Sequence, residues 1–545
     1  MVGGRPAVGV FVDPGVRRDG IDLDALLVDL QAAGAAPVRV VPGLARHPDL
    51  LAGAAVAVGA RRIVVVTGGF ERDLLGELRT WGAGVGLDRL GVQLVTLGSL
   101  RARRTALERA AYAARLVRAA TAAAVASDVA ASARRSLGPA LTRRALLHGR
   151  ASTWVPVVDV DDRACLGALR CGVCVDACPE QALTIRTDAP GEPPQVDAAR
   201  CVACTRCLDA CPAGALRLDG HDPESLAHRL HALLRGDDGA PAPALAISCT
   251  DAAAQGRTLE QCGGAAGWLT LEVACLGGID GAWLLAAVAC GARAVRILPC
   301  ARCRGRAALA DDVDFARDLL SVLGDPSASD RVGVLPAASG RARRSVGTAG
   351  HLAPLVDSAA ADRLPRPVAG ESQARDTARV AAWAVAELDR ALDPGGRLPS
   401  GATSGRPRRI LGAGSPLGVV SAVPPGCTAC GVCVRTCPSG ALDLQVGGSV
   451  ALLSFDAADC TGCRLCRDAC PEGLLDVTRG VDLEALARGR TVIGRIDAPA
   501  CPDCGAEVPV LPVAARHPGL TDVVAGRCSA CRQVVLAASL GVRSG

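Results

Sequence analysis

At 545 residues the chain is too long for one hydrophobic core, and roughly 150 residues per domain predicts three or four units. One tyrosine and four phenylalanines leave little of the aromatic surface on which single-stranded nucleic acid stacks. A formal charge of +5 is small for this length, so no nucleic-acid partner is expected. The apolar run ahead of Asp13 is too short for a secretory signal, and no segment reaches the roughly 18 uncharged apolar residues of a membrane helix. Leu50 to Ala60 and Gly281 to Ala292, the longest candidates, read as buried core elements. The expectation is a cytoplasmic protein with no membrane insertion, and twenty-six cysteines in that reducing compartment point to metal ligation, not disulfides.

The first 150 residues hold no cysteine and alternate short apolar runs with helical spacing. Val8 to Val12, Val38 to Val41, Ile63 to Val66 and Val92 to Leu97 read as strands, and Leu23 to Ala33 as an amphipathic helix. This alternation predicts a parallel sheet covered by helices. Leu107 to Ala133 reads as a long helix leading out of that domain. A cysteine-dense block runs from Cys165 to Cys211, followed by an exposed helix, Asp222 to Leu234, with His221, His228 and His231 in or beside it on a solvated face. A second α/β segment from Ala244 to Leu323 carries six more cysteines. Beyond it one helix, Thr377 to Leu392, interrupts an Ala-, Gly-, Ser- and Pro-rich stretch, and Gly395 to Pro416 reads as a linker. A second cysteine block spans Cys427 to Cys470, and a small module holds the last four, Cys501 to Cys531. The fold class is multidomain α/β and α+β, with units at 1–150, 155–222, 240–330, a helix plus linker over 331–420, then 421–480 and 495–545.

One phrase repeats four times: Cys178-Pro-Glu-Gln-Ala-Leu, Cys211-Pro-Ala-Gly-Ala-Leu, Cys437-Pro-Ser-Gly-Ala-Leu and Cys470-Pro-Glu-Gly-Leu-Leu. Each copy closes a cysteine motif, and both motifs of the later block read C-x2-C-x2-C-x3-C-P. Three closely spaced thiolates wrap three irons of a cubane, while the fourth is carried away along a short helix to the neighbouring cubane. Cys427, Cys430 and Cys433 with Cys470 are thus candidates for one [4Fe–4S] cluster, and Cys460, Cys463 and Cys466 with Cys437 for another. The earlier block has Cys201, Cys204, Cys207 and Cys211 in the same form, but five residues, Leu166 to Arg170, separate Cys165 from Cys171 ahead of Cys174 and Cys178. Enlarging that loop removes no ligand. Two further clusters are expected, on Cys165, Cys171 and Cys174 with Cys211, and on Cys201, Cys204 and Cys207 with Cys178. Paired zinc knuckles are the competing reading of these spacings.

Both blocks resemble bacterial-type dicluster ferredoxin domains, and that resemblance implies one-electron transfer. Between them, Val273-Ala-Cys275-Leu-Gly277-Gly-Ile-Asp280 and Cys300-Ala-Arg-Cys303 look like the delta subunit of methyl-viologen-reducing hydrogenase. That small domain binds one [2Fe–2S] cluster and links a hydrogenase to heterodisulfide reductase. The resemblance implies Cys249, Cys275, Cys300 and Cys303 as ligands, with Cys262 as a substitute, and a domain without a cluster is the alternative. Two departures from the family stand out: Cys249-Thr-Asp-Ala replaces its C-x2-C pair, and two residues separate Cys300 from Cys303 where the family has four between its last pair. Cys290, on an apolar helix face, reads as a buried thiol. The N-terminal region is similar to the leading domain of the heterodisulfide reductase A subunit, in Val8-Gly-Val-Phe-Val-Asp, the strand at Ile63 and the Arg-rich helix after Leu107. That subunit also carries a flavin domain, whereas no strand-linked G-x-G-x-x-G occurs here; Gly412-Ala-Gly414-Ser-Pro-Leu-Gly418 and Thr67-Gly68-Gly69 read as loops.

Cys501-Pro-Asp-Cys504 and Cys528-Ser-Ala-Cys531 flank a β-rich stretch, Val508 to Val524, and read as a zinc ribbon, with a rubredoxin-like single iron as the alternative. No nucleophile motif or acid/base carboxylate pair is evident, so no catalytic residue is assigned. The expected protein is an electron-transfer subunit with four [4Fe–4S] clusters, a [2Fe–2S] cluster and a zinc. Its partners would be other oxidoreductase subunits of hydrogenase, dehydrogenase or heterodisulfide reductase type. A catalytic subunit using flavin or a disulfide, and a non-redox scaffold, are the competing readings.

Overall fold

In the computed structural model, the described residues are 8–32, 36–44, 50–68, 92–98, 105–126, 158–167 apart from 163, 171–197 apart from 190, 204–218 with 201, 223–234, 242–249, 268–299 apart from 274, 307–335, 352–356, 363–365, 373–392, 409–421, 429–447 with 427, 450–497, 500–506, parts of 527–535, and isolated positions such as 47, 78, 87, 100 and 200. Valine-rich runs form strands β1 (Val8–Val12), β2 (Val38–Val40), β3 (Arg62–Thr67) and β4 (Val92–Thr96), all parallel in the order β2-β1-β3-β4. Every residue of β1 and β3 is buried, as expected of a sheet with helices on both faces. Helix α1 (Leu23–Ala32) buries Leu23, Leu26 and Leu30, the stripe that 3.6-residue periodicity sets, and α2 (Leu50–Ala57) contributes Leu51 and Ala55 to the core on the other side.

Helix α3 (Ala106–Ala126) opens on a reciprocal cap: Thr105 Oγ1 accepts from Glu108 N at 3.1 Å, and Glu108 Oε2 from Thr105 N at 3.4 Å. The buried Arg62 closes it by donating to the Ala124 carbonyl at 2.7 Å and the Val125 carbonyl at 2.5 Å. The helix does not lead out of the domain. Its alanines let it lie against the sheet on one side and α4 (Pro223–Leu234) on the other, so Ala113, Val117 and Ala120 share a core with Leu226, Leu230 and Leu233. Helix α4 is therefore one-sided and not an exposed element, with His228 and His231 half-buried at its margin. Residues 127–133 lie outside the described ones.

The first cysteine block carries two short antiparallel pairs: β5 (Val158–Val160) with β8 (Leu216–Leu218), and β6 (Leu183–Thr184) with β7 (Gln195–Val196). A second four-stranded parallel sheet follows, from β9 (Ala244–Cys249), β10 (Trp268–Val273), β11 (Val295–Leu298) and β12 (Val332–Val334), in the order β10-β9-β11-β12. It repeats the strand order of the N-terminal sheet. Helix α5 (Gly281–Ala289) is buried at every residue, and its cap is Asp280 Oδ1 accepting from Ala282 N at 3.0 Å. Helix α6 (Ala307–Val322) covers the sheet through Val313, Ala316 and Leu320.

Helix α7 (Gln373–Leu392) packs on α5 and on the turn Ala457–Asp459 of the second cysteine block. The segment read as a linker is structured where it is described. Arg409–Leu411 is strand β13, which pairs antiparallel with β17 (Val477–Asp482), and β14 (Gly418–Val420) pairs with β17 on its other side. The glycine run between β13 and β14 packs on α6, with Gly412 against the Phe315 ring and Gly414 against the backbone of Asp311. Glycines at these places read as flexible in sequence because the partner that closes on them is a hundred residues away. The antiparallel sheet of β15 (Leu442–Gly447), β16 (Val450–Phe455) and β18 (Thr491–Asp497) completes the block. Among the described residues no helix is long and apolar enough to cross a membrane.

Candidate metal centres

The four cysteine motifs share one backbone pattern. The residue after the second cysteine of each is left-handed: Gly172 at φ 66°, Thr205 at 64°, Gly431 at 67° and Arg464 at 66°. That turn starts a helix of four or five residues, Val173–Asp176, Arg206–Ala210, Val432–Thr436 or Leu465–Ala469. The helix then carries the chain to the fourth cysteine, where the following proline stops it. A threonine and an arginine hold a conformation that costs a side chain about 1–2 kcal/mol, so the surroundings impose it.

The strands fix which motifs meet. In the first block β5, before Cys165, pairs with β8, after Cys211; β7, before Cys201, pairs with β6, after Cys178. In the second, β14 before Cys427 pairs with β17 after Cys470, and β16 before Cys460 pairs with β15 after Cys437. Each pair brings the start of one motif beside the end of the other.

Three cavities lie where these ends meet. One, of about 430 Å³, is lined by Cys427, Cys430, Cys433 and Cys470, with Leu444, Leu453 and Leu475 among its apolar walls. A second, of about 310 Å³, holds Cys437, Cys460, Cys463 and Cys466. The third, of about 400 Å³, holds Cys165, Cys171, Cys174 and Cys211. At the fourth position, the Cys207 thiol faces Cys201, Cys204 and Cys178. Past the long spacer Cys171 N donates to the Gly167 carbonyl at 3.2 Å, and Cys171 lines the third cavity; residues 168–170 lie outside the described ones.

These thiols sit where a bare thiolate is disfavoured. Burial, and then the charge of neighbouring sulfurs, pushes Cys174 and Cys433 up to about 11 and Cys207 and Cys466 up to about 12. A bound multivalent cation would offset both effects and let the sulfurs ligate as thiolates. Backbone amides also point at the sulfurs: Ala182 N donates to Cys178 Sγ at 3.2 Å and Ala215 N to Cys211 Sγ at 3.3 Å. Four thiols in an apolar cavity with amide donors fit a [4Fe–4S] group, which supplies a one-electron step when bound.

Residues outside the motifs close these sites. Gly418 N donates to the Cys460 carbonyl at 3.0 Å, and a Cβ at 418 would stand 2.5 Å from Gly462 Cα and 2.8 Å from Cys460 Sγ. Asp459, buried beside Cys460, accepts from Arg379 Nε at 2.8 Å and Arg375 Nη2 at 2.9 Å, both on α7. Asp459 gives no signal in sequence, since its partners lie some eighty positions upstream.

In the central unit, Cys249 closes β9 opposite Val273 of β10, two residues before Cys275, so both cysteines lie at the carboxyl ends of neighbouring parallel strands. Cys262, Cys300, Cys303 and the side chain of Cys249 lie outside the described residues. Cys290 is fully buried, and that burial raises its thiol. At the C-terminus, Cys501, Cys504, Cys528 and Cys531 bring their sulfurs within 4.8 Å of one another, with Cys504 and Cys528 at 3.6 Å. A disulfide is closed at about 2.05 Å, whereas a tetrahedral metal at 2.3 Å from each sulfur sets them about 3.8 Å apart. The donor set fits one metal ion, and the Cys528 backbone hydrogen bond holds Cys501 down to about 6. The β-rich stretch at 508–524 lies outside the described residues.

The family described as a 4Fe-4S dicluster domain matches this chain twice, over residues 158–215 and 426–474. The chain thus carries two ferredoxin-type domains within a mixed α/β architecture. No curated protein matches it.

Proposed function

We propose that this chain is an electron-transfer subunit that relays single electrons between partner oxidoreductases of hydrogenase, dehydrogenase or heterodisulfide reductase type. The observation that carries the reading is the gathering of twelve cysteines into three groups of four, each drawing three thiols from one motif and one from its partner, with Cys201, Cys204 and Cys178 among the sulfurs around Cys207. Cys427, Cys430, Cys433 and Cys470; Cys460, Cys463, Cys466 and Cys437; Cys165, Cys171, Cys174 and Cys211; and Cys201, Cys204, Cys207 and Cys178 would each hold a [4Fe–4S] cluster. Full ligation by cysteine leaves no iron free for a substrate, so catalysis belongs to the partners.

The central unit would hold a [2Fe–2S] cluster through Cys249, Cys275, Cys300 and Cys303. Support comes from the sheet: ligands of open parallel sheets gather at the carboxyl ends of the strands where the strand order reverses, and β9 and β11 flank that point. The C-terminal cysteines would hold a structural zinc. The resemblance of the N-terminal unit to a heterodisulfide reductase A leading domain supports a place in the same kind of complex. Metal and acid-labile sulfide analysis of anaerobically reconstituted protein tests these assignments. About 16 irons per chain are expected from four cubanes, about 18 with the binuclear centre, and one zinc. Zinc in place of iron at the ferredoxin motifs would sink the relay.

A further inference from the structure

The two ferredoxin-type domains touch each other, and they do so at their cysteine sites. Leu465 lies between Cys463 and Cys466 in the second domain. It packs on a small apolar knot of the first domain made of Ala164, Ala213 and Ala215, all buried, against which Cys165 and Cys211 also pack. Ala164 precedes Cys165, and Ala213 and Ala215 follow Cys211. Three alanines at this contact present little bulk between the two sites. Within each domain the sites are already neighbours: Cys433, Cys437 and Cys470 pack on the core that holds Cys460 and Cys466, with Cys433 near Cys466, and Cys174, Cys178 and Cys211 pack on the core that holds Cys201 and Cys207, with Cys174 near Cys207.

The far end has its own contact. Cys275 packs against the core that holds Cys201 and Cys207, and a Cβ on Gly277 would collide with the methyl group of Thr205, the left-handed residue between Cys204 and Cys207. The central unit therefore rests on the Cys201 site, through residues other than those that meet Leu465.

We propose that the four cysteine sites form a single file, Cys427 site, Cys460 site, Cys165 site, Cys201 site, with the contact of Leu465 on the Ala164, Ala213 and Ala215 knot as the crossing between domains and the Cys275 loop at the end. This ordering rests on the relay reading above. At each step one electron passes, one site losing it and its neighbour gaining it, with no bond or proton changed; a low-potential one-electron donor supplies the first.

The test is EPR on the full chain, reduced with dithionite. One variant keeps the inner pair of sites by removing the outer ones (Cys430→Ser with Cys204→Ser), and a second keeps the outer pair (Cys463→Ser with Cys171→Ser). The inner-pair protein should show an interaction-broadened, fast-relaxing spectrum, and the outer-pair protein two independent, slowly relaxing ones. Equal, uncoupled spectra from both would overturn the ordering while leaving the relay intact, provided the unmodified chain takes up iron and is reduced. Should either variant fail to hold about 8 irons, hydrogen exchange on the otherwise intact Leu465→Glu chain decides. Amides at 164 and 213–215 should lose protection several-fold with those near Cys427 unchanged, and unaltered protection at 213–215 contradicts the contact.

Discussion

A methyl group at position 418 has nowhere to go. It would meet the backbone of Gly462 and the sulfur of Cys460, neither of which can swing aside. Gly418→Ala should therefore cost the Cys460 site its cluster, lowering iron by about 4 per chain while leaving the first domain loaded; full iron content would show that β14 can shift. If the C-terminal cysteines hold the proposed zinc, Cys504→Ser should abolish zinc binding with iron unchanged, because a structural tetrahedral site needs its fourth thiolate; zinc retained at one per chain would place it elsewhere. At this scale the sequence was most readable where ligands are closely spaced, as in Cys427 to Cys437. It was least readable where a residue acts through a distant partner. Gly418 ended a glycine-rich run that reads as a loop, and Asp459 looked like any acidic residue in a turn, since strand pairing with β17 and an ion pair with α7 are both tertiary facts.

Among elements, α7 does most to join parts of the molecule. One side of it meets α5 of the central unit, and its N-terminal half meets the turn before Cys460. Asp459 is 3% exposed and receives two guanidiniums there, Arg375 and Arg379, with Arg490 at 3.9 Å. Asp459→Ala leaves those half-buried cations without their acceptor and should cost about 2–3 kcal/mol by chemical denaturation, whereas Arg379→Ala, with Arg375 still in place, should cost about 1 kcal/mol. Equal costs would mean that the two arginines do not share the load. Helical periodicity located α7 to within a few residues, since its apolar stripe, Ala381, Ala384, Val385 and Leu388, is continuous. The same rule misjudged α3, whose alanines carry too little contrast between faces to reveal that two sides are buried.

Across the whole molecule, metal loading should govern the pH dependence of stability. Without iron, thiols ordinarily near 9 are held at about 11 to 12 by burial and mutual repulsion in the folded state. Above pH 9 the unfolded chain releases those protons and the folded chain does not, so the unfolded state binds fewer protons and stability falls as pH rises. The iron-free chain should thus lose stability from about pH 9 towards 12, while the loaded chain, with its sulfurs committed to metal, should be flat over that window. Parallel falls in both would mean that these thiols do not set the balance.

The central claim is a relay of one-electron sites, and coulometric reduction of the anaerobically reconstituted full chain tests it most directly. The account predicts uptake of about four electrons per chain at low potential, or five with a binuclear centre, together with the EPR of reduced cubanes. A chain that carries about 16 irons yet accepts no electron from any low-potential donor would contradict it.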